Sequence, residues 1–531
     1  MDELLLAIVV LFFKLIAWIV KSLYKLVLRL LRALGRAQSG EGGQVARAAP
    51  APTKIGQKTP PVRGVPASSA QVNTRAGSPS LVTALDDLAR RAAALGERAA
   101  ELPSGEVLTQ SIDEWIVPAI FDLRSRVQGA RVQAGDALRT LAHLRGLVSL
   151  VEEMVDQRDD KELAFLVGDS DALADACYAP LVGYAEGAGL DLGARTTLTL
   201  LGDRDLATWI GLHLGFAPIV LPPEWATEIA WWPALLHEVG HAFYGTLRGF
   251  DSELREALRL PRVAGTLVEE PVTESELWRP FASWLDELAA DALGVMAMGP
   301  AYVRTMMWAF GTQGHEEALR AIADGSGARY EEHPPAHLRV VLGCRLLTAM
   351  GYPNDGRQLE AEWRRSRKMP TTLTLLARSG RWLLVDENAL IERGVIVVRS
   401  LYEERWKSLG ERPLRSIPGF DFGPREHALA RREAARLAAG EMADSGNARC
   451  LIAGAVLARF ERPSQGKVIA RAARASIAAL GVSHQRVRLR GEQEAARHLD
   501  LAGGLDLTTA AEAILLDAIF SPPPSLRASR R

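Results

Sequence analysis

Hydrophobic positions divide the chain into an apolar N-terminal segment, a polar stretch and a long body. Residues 4–20 are apolar except for Lys14, and the apolar character continues to Leu34 with basic residues between. Residues 37–80 are rich in Ala, Pro, Gly and Ser and carry too little apolar surface to form a core. From Leu81 to Leu102, Leu and Ala recur at alternating steps of four and three, which predicts an amphipathic helix.

Further helix is predicted around 138–155, and the first strand-like runs follow at 196–201 and 216–221. The last 160 or so residues have a mainly helical pattern and no motif. We therefore predict an α+β, predominantly helical protein. Its expected parts are a membrane-associated helix at 1–36, a flexible linker at 37–80, a helical region at 81–165, a core at 166–350 and a helical C-terminal region at 351–531.

Composition narrows the classes of function. A net charge of −1 over 531 residues gives no global reason to expect nucleic-acid binding. The chain has three cysteines, Cys177, Cys344 and Cys450, without a CxxC pair. Such usage is typical of a reducing compartment and argues against a disulfide scaffold.

The N-terminal segment carries its charge in one stripe. On a helix, the spacing of its cations gathers them along one face: Lys14, Lys21, Lys25, Arg29, Arg32 and Arg36. A cleaved signal peptide is disfavoured, because the chain begins with acidic residues and its cations follow the apolar run. A single-pass anchor and an interfacial helix remain open. Both bind membrane lipids through residues 1–36 and place the body at the cytoplasmic face of the cell membrane.

The chemistry is concentrated at 237–241, which reads His-Glu-Val-Gly-His. Pro233 suits the first turn of a helix and Gly249 its end. His237 and His241 are then one turn apart on the same face and can reach one Zn²⁺ ion, while Glu238 can reach a metal-bound water without acting as a ligand. This is the arrangement that peptide hydrolysis needs, with Glu238 as general base and then general acid.

A third ligand is available at 284–294, where Glu287 and Asp291 are four residues apart. This stretch resembles the second active-site helix of the gluzincins, a class of HExxH zinc metallopeptidases. The resemblance implies that Glu287 completes the zinc site and that Asp291 orients a ligand histidine. Asp286 competes for the ligand role in the sequence, and a solvated acidic helix face is the plain structural alternative.

A further motif, at 333–339, begins His-Pro-Pro and ends in arginine. It resembles the HP…R signature of membrane zinc peptidases, namely the CAAX prenyl proteases and the HtpX-type heat-shock-induced peptidases. By that resemblance, His333 stabilises the oxyanion of the tetrahedral intermediate and Arg339 braces the site. The core at 166–350 is then expected to be zincin-like, with the strand at 216–221 as the edge strand that aligns substrate.

The resemblance has limits. Those membrane peptidases span the membrane several times, whereas this chain has one N-terminal apolar segment. An acidic insert at about 249–279 has no predicted position. Cytosolic regulatory proteases of the ImmA/IrrE type also carry HExGH and are the second choice within the class. A prenyl-protein substrate is therefore not implied.

We predict a membrane-tethered zinc metalloendopeptidase that hydrolyses proteins or peptides at the cytoplasmic membrane face. The alternative is a non-catalytic membrane-tethered interaction protein with a structural or vestigial metal site. A third hypothesis makes the basic N-terminal helix a membrane-disrupting effector whose release the peptidase controls. The sequence indicates neither a particular substrate nor an oligomeric state.

Overall fold

The computed structural model describes residues 79–202, 207–208, 214–261, 268–311, 333–367, 371–377, 379–444 and 446–480. The predicted membrane helix at 1–36 and all but the last two residues of the linker lie outside them. All of the described residues belong to the same compact unit. Within the described chain, no helix is long and apolar enough to cross a membrane.

Helices dominate the described chain, which confirms the predicted predominance of helix. Those before the first strand are α1 (Pro79–Ala100), α2 (Gly105–Ser111), α3 (Val117–Gln128), α4 (Ala134–Asp159) and α5 (Leu163–Gly187). The central helices are α6 (Pro223–Thr227), α7 (Trp232–Thr246), α8 (Phe250–Ala257), α9 (Arg279–Met298), α10 (Pro300–Gly311) and α11 (Ala336–Ala349). The remaining ones are α12 (Pro353–Arg367), α13 (Glu387–Glu403), α14 (Pro424–Ala438), α15 (Ala448–Glu461) and α16 (466–480).

The apolar positions that predicted α1 form its buried face. Leu85, Ala92 and Ala99 have no exposed surface, and the other positions of the series within the helix are at most 6% exposed. Helix α1 packs against α2, α3 and α4, and a short π-helix at Ile112–Ile116 joins α2 to α3. The helix predicted around 138–155 is the middle of α4. These four helices therefore form a bundle whose stability comes from one continuous apolar seam.

A small sheet separates this bundle from the main core. Its strands are β1 (Thr197–Leu201), β2 (Ala207–Thr208) and β3 (Ala217–Leu221), in the order β1-β3-β2. Alternate residues of a strand face opposite sides, so Leu198, Leu200 and Val220 pack on the bundle. Ile219 and Leu221 point into the main core, which includes buried residues from 167 to 477.

The two predicted strands are present within one residue of their expected limits, but the position of β3 in the sheet is not as expected. β3 pairs in parallel with β1 along its whole length and antiparallel with β2 at Ile219 and Val220. All five of its residues are buried. The expectation that the strand at 216–221 is the edge strand is therefore wrong, because it has neighbours on both sides.

Helices α7 and α9 cross at close range in the main core. A Cβ atom at Gly240 would lie 2.8 Å from Cα and 3.0 Å from the carbonyl oxygen of Ala290. Only a residue without a side chain at position 240 allows this approach. Helix α7 ends at Thr246, and Gly249 then adopts a left-handed conformation with φ 85°. The predicted start of this helix is therefore found, whereas its end comes three residues before Gly249, which is the N-cap of α8.

The C-terminal region is helical as expected, with one exception. β4 (Thr372–Leu376) and β5 (Trp382–Asp386) form an antiparallel hairpin. Leu373, Leu375 and Val385 are buried on its inner face. The described helices of this region share the core of residues 167–477, so they belong to the same compact body as α7 and α9. The three cysteines are unpaired and buried in this core, in α5, α11 and α15.

The acidic insert at about 249–279, which the sequence left without a position, is described except for residues 262–267. Its helix α8 packs beside α7, where the Tyr244 hydroxyl donates to Oδ1 of Asp251 at 2.5 Å. Arg255 contacts the same carboxylate and donates to the carbonyl oxygen of Ala282 in α9. The first part of the insert therefore connects the C-terminal end of α7 with the N-terminal end of α9.

Candidate metal centre

Helix α7 presents two histidines to one point. His237 and His241 are one turn apart, and their Nε2 atoms are 3.0 Å from each other. The side chains are only 12% and 9% exposed. Glu238 is buried, and its carboxylate lies within 4.8 Å of the ring nitrogens of both histidines. The helix therefore gathers two nitrogen ligands and one carboxylate.

Helix α9 brings a second carboxylate to the same point. Glu287 Oε2 is 3.3 Å from His237 Nε2, and Oε1 is 3.3 Å from His241 Nε2. This is possible because Gly240 and Ala290 let the two helices approach closely. The residues chosen from the sequence as ligands, His237, His241 and Glu287, thus come together in space.

Two further carboxylates contact the opposite sides of the imidazole rings. Asp286 Oδ1 is 2.9 Å from His241 Nδ1, and Asp291 Oδ1 is 3.1 Å from His237 Nδ1. An ionised carboxylate only accepts hydrogen bonds, so each Nδ1 carries a proton and donates outwards, while each Nε2 faces the shared point. Asp286, the competing ligand candidate, therefore lies on the side of His241 away from the shared point and orients that ring.

Arg339 lies behind this cluster and contacts two of its acids. Its Nε and Nη2 are 2.7 Å and 2.8 Å from the oxygens of Asp291, and its Nη1 is 3.2 Å from Glu287 Oε2. Burial alone raises the pKa of both carboxyl groups, but the guanidinium and the histidines outweigh it. The pKa of Asp291 is lowered, and that of Glu287 lies well below its ordinary value. Both groups are therefore ionised.

His333 lies at the entrance to the cluster. Its Nε2 is 3.1 Å from Glu287 Oε1, and the side chain is 53% exposed. His337, one turn further along, is fully buried and contacts Trp363 and Glu387. Of the two histidines in this segment, His333 is the one that belongs to the site, as the motif indicated.

Tyr302 is part of the cluster and was missed from the sequence. Its hydroxyl is 3.0 Å from Asp291 Oδ1 and 3.3 Å from His237 Nδ1. No spacing rule links position 302 to either motif, since the residue enters the site through the sharp turn between α9 and α10 at Gly299. The only local signal is Gly294, because a Cβ there would overlap the Tyr302 ring.

The donor set fits a divalent cation. The two Nε2 atoms face each other at 3.0 Å, and Glu287 Oε2 lies 3.3 Å from His237 Nε2 and 3.2 Å from Arg339 Nη1. Burial by itself lowers the pKa of both histidines, yet the surrounding acids raise it, for His241 well above the ordinary value. The cluster therefore attracts positive charge. Two nitrogens and one carboxylate oxygen are the ligands that catalytic zinc sites use.

The chain was also compared with known proteins. Comparison with protein-family models, with curated proteins and with solved structures finds no match.

Proposed function

We propose that this protein is a zinc-dependent metallopeptidase that hydrolyses peptide bonds in proteins or peptides. One observation carries the proposal: the Nε2 atoms of His237 and His241 are 3.0 Å apart, with the Glu287 carboxylate 3.3 Å from each. Glu238 adds a carboxylate that the ligand set does not need. The zincin-like character of the core is part of the same proposal and rests on these side chains.

Each residue of the cluster has its own role in the proposed reaction. His237, His241 and Glu287 would hold a zinc ion, which would supply a Lewis acid for the peptide carbonyl and for the attacking water. Glu238 takes a proton from the attacking water on its carboxylate and delivers it to the leaving amine. His333, half exposed at the entrance, donates a hydrogen bond to the oxygen that becomes negative in the transition state. Asp286 and Asp291 hold the two imidazoles in the ligating tautomer.

The non-catalytic alternative is less well supported. A structural zinc site normally closes with four protein ligands, often with cysteine among them. Here the proposed ligand set is two histidines and Glu287, Glu238 has a separate proposed role, and all three cysteines of the chain are buried in other helices. A site with three protein ligands leaves a position for water or substrate. Glu238 is also superfluous in a structural site, because such a site needs no general base.

The test is zinc content and peptidase activity of the full chain, in wild type and four variants: Glu238→Gln, His237→Ala, Asp286→Asn and Glu287→Gln. We expect about one zinc per chain in wild type and in Glu238→Gln, and none in His237→Ala. Glu238→Gln should lose hydrolysis of a mixed peptide library. Asp286→Asn should keep the metal with affinity weakened about tenfold, since Asp286 orients a ligand.

The possible results separate the hypotheses. Wild type without zinc, after handling free of chelators, would exclude the peptidase. Zinc in wild type and Glu238→Gln, with no hydrolysis by either, would favour the non-catalytic tethered protein. Complete loss of zinc in Asp286→Asn, with zinc retained in Glu287→Gln, would reverse the ligand assignment.

We further propose that residues 1–36 hold this activity at the cytoplasmic face of the cell membrane. The support is the sequence of the segment: a wide apolar surface with one stripe of six cations, from Lys14 to Arg36. Cations next to an apolar helix favour anionic head groups and the cytoplasmic side. Protein or peptide substrates near that surface would then meet the site at raised effective concentration.

A further inference from the structure

Tyr302 occupies a position in the site that neither motif accounts for. It lies at the start of α10, its side chain is almost fully buried, and its amide donates to the carbonyl oxygen of Gly299. Gly299 has φ 57°, a conformation that glycine adopts without strain, and this turn directs the tyrosine back towards α9. The ring then fits against Gly294, where any side chain would displace it.

The tyrosine hydroxyl stands between an acid and a ligand histidine. It is 3.0 Å from Asp291 Oδ1 and 3.3 Å from His237 Nδ1, while those two atoms are themselves 3.1 Å apart. The three atoms therefore form a triangle of hydrogen-bonding groups. Only one arrangement of protons satisfies it.

That arrangement follows from what each group can donate. Asp291 is ionised by its bidentate contact with Arg339 and can only accept. The single proton of the tyrosine hydroxyl therefore points to Asp291, which leaves the hydroxyl oxygen as an acceptor towards His237. Both neighbours of His237 Nδ1 are then acceptors, so the proton of the ring must sit on Nδ1. His237 Nε2 then faces His241 and Glu287, with Arg339 Nη2 3.4 Å away.

We propose that Tyr302 is a positioning residue for the metal site: its hydroxyl holds His237 in the Nδ1-protonated tautomer and in the ring orientation that directs Nε2 at the ion. This inference rests on the proposed function, because it assumes that His237 is a zinc ligand. Asp291 is already satisfied by Arg339, so the tyrosine is not needed to keep that carboxylate ionised. Its distinct contribution is the second acceptor at Nδ1, which removes the freedom of the ring to rotate away from Asp291.

The experiment compares Tyr302→Phe with Tyr352→Phe in the full chain. The two changes are matched, because each removes one buried tyrosine hydroxyl. That of Tyr352 donates to the carbonyl oxygen of Phe422, away from the candidate ligands. The measurements are zinc affinity by competition with a chelator, the visible spectrum of the Co²⁺-loaded chain, and thermal unfolding.

We expect Tyr302→Phe to weaken zinc binding by about tenfold, the lower end of the effect of losing a group that orients a ligand. Its Co²⁺ absorption bands should shift, because the ligand field changes when the imidazole reorients. Tyr352→Phe should keep the wild-type spectrum and a zinc affinity within about twofold of wild type. Thermal unfolding should show that the two variants lose comparable stability.

Two outcomes would overturn the inference, and they differ from each other. If wild type binds zinc and Tyr302→Phe binds it equally well with an unchanged Co²⁺ spectrum, the tyrosine does not position His237, while the proposed function stands. The inference is likewise overturned if both phenylalanine variants weaken zinc binding equally, since the effect would then be one of general stability. Wild type without zinc would remove the proposed function and this inference together.

Discussion

Arg339 sets the charge balance of the candidate metal centre. Four carboxylates surround the paired histidines, those of Glu238, Asp286, Glu287 and Asp291, and the described part of the site contains one guanidinium. Buried charges are costly unless they are compensated. Arg339 compensates Asp291 and part of Glu287, which leaves an excess of negative charge towards the histidines. A divalent cation would supply the compensating positive charge there.

His337 shows how a neighbouring residue of the same type takes a structural role. Trp363 can only donate through its indole nitrogen, and it does so to His337 Nδ1 at 2.9 Å. The proton of the neutral ring is therefore on Nε2, which donates to Glu387 at 2.9 Å. Sequence spacing alone does not show which of His333 and His337 lies at the candidate site. The complete burial of His337, away from the candidate ligands, shows that it does not lie there.

Glu387 gives this buried network a defined pH dependence. Burial alone raises the pKa of its carboxyl, but hydrogen bonds from His337 and Arg364 outweigh it and lower the pKa from 4.5 to about 2. Arg364 also contacts Glu360. Because the pKa is lower in the folded state, the ionised form stabilises the fold above pH 4.5, and this contribution is lost as the pH falls towards 2.

We therefore expect Glu387→Gln to be less stable than wild type at pH 7, with a difference that shrinks as the pH is lowered from about 4.5 to 3. Urea unfolding across this range measures it. Glu256→Gln, at an exposed position of α8, is the control and should follow wild type at each pH. A difference that stays constant from pH 7 to 3 would contradict the role of the ionised carboxylate.

At the scale of elements, the site depends on how closely α7 and α9 approach. We expect Gly240→Ala to lower the free energy of unfolding by about 1–3 kcal/mol, because the new methyl group meets the backbone of Ala290 and a packed core accommodates extra volume poorly. The helices would separate, Glu287 would move away from the histidines, and zinc affinity would fall. Chemical denaturation and chelator competition measure the two effects.

The matched control for that variant is Gly183→Ala in α5, where a Cβ would meet no atom within 4 Å. There the substitution should stabilise the protein by about 0.5–1 kcal/mol, since alanine favours a helix more than glycine does. If Gly240→Ala behaved like Gly183→Ala, the close crossing of α7 and α9 would not be needed for the site.

The elements that the sequence predicted well are those with strong local patterns. The positions of α1, α7 and β3 follow from apolar spacing and proline, and the residues of the first two motifs lie on α7 and α9. His333 lies just before the start of α11. The central position of β3 could not be predicted, because strand order depends on contacts between distant parts of the chain. The hairpin β4–β5 was missed because its short strands stand among long helical stretches. Tyr302 reaches the site through a backbone turn that no residue spacing encodes.

At the scale of the whole molecule, one sheet joins two apolar cores. Leu198, Leu200, Phe216 and Val220 pack on the N-terminal bundle, and the opposite face of the same strands packs on the core that holds α7 and α9. The bundle therefore covers apolar surface of the sheet and is an integral part of the body. Removal of the bundle would expose the face of the sheet opposite the core that holds α7 and α9.

The proposed tether can be tested on the complete chain. We expect it to sediment with vesicles containing anionic lipid and a chain beginning at residue 37 to stay in solution, because the cationic stripe and the apolar face lie within 1–36. Replacing all six cations of the stripe with glutamine in the full chain separates the contribution of charge to vesicle binding from that of apolar burial. Alkaline carbonate should release an interfacial helix and leave a spanning one in the membrane. Equal sedimentation with and without residues 1–36 would contradict the tether.

The three buried cysteines can report local unfolding of the helices that contain them. They lie in α5, α11 and α15, and burial raises the pKa of the thiols to about 12 for Cys177 and Cys344 and about 11 for Cys450. A thiol that is both shielded and protonated does not react with alkylating reagents. Each cysteine becomes reactive only when its own helix separates from the core. The rate at which each is alkylated therefore records how often that part of the protein unfolds locally, without any label being introduced.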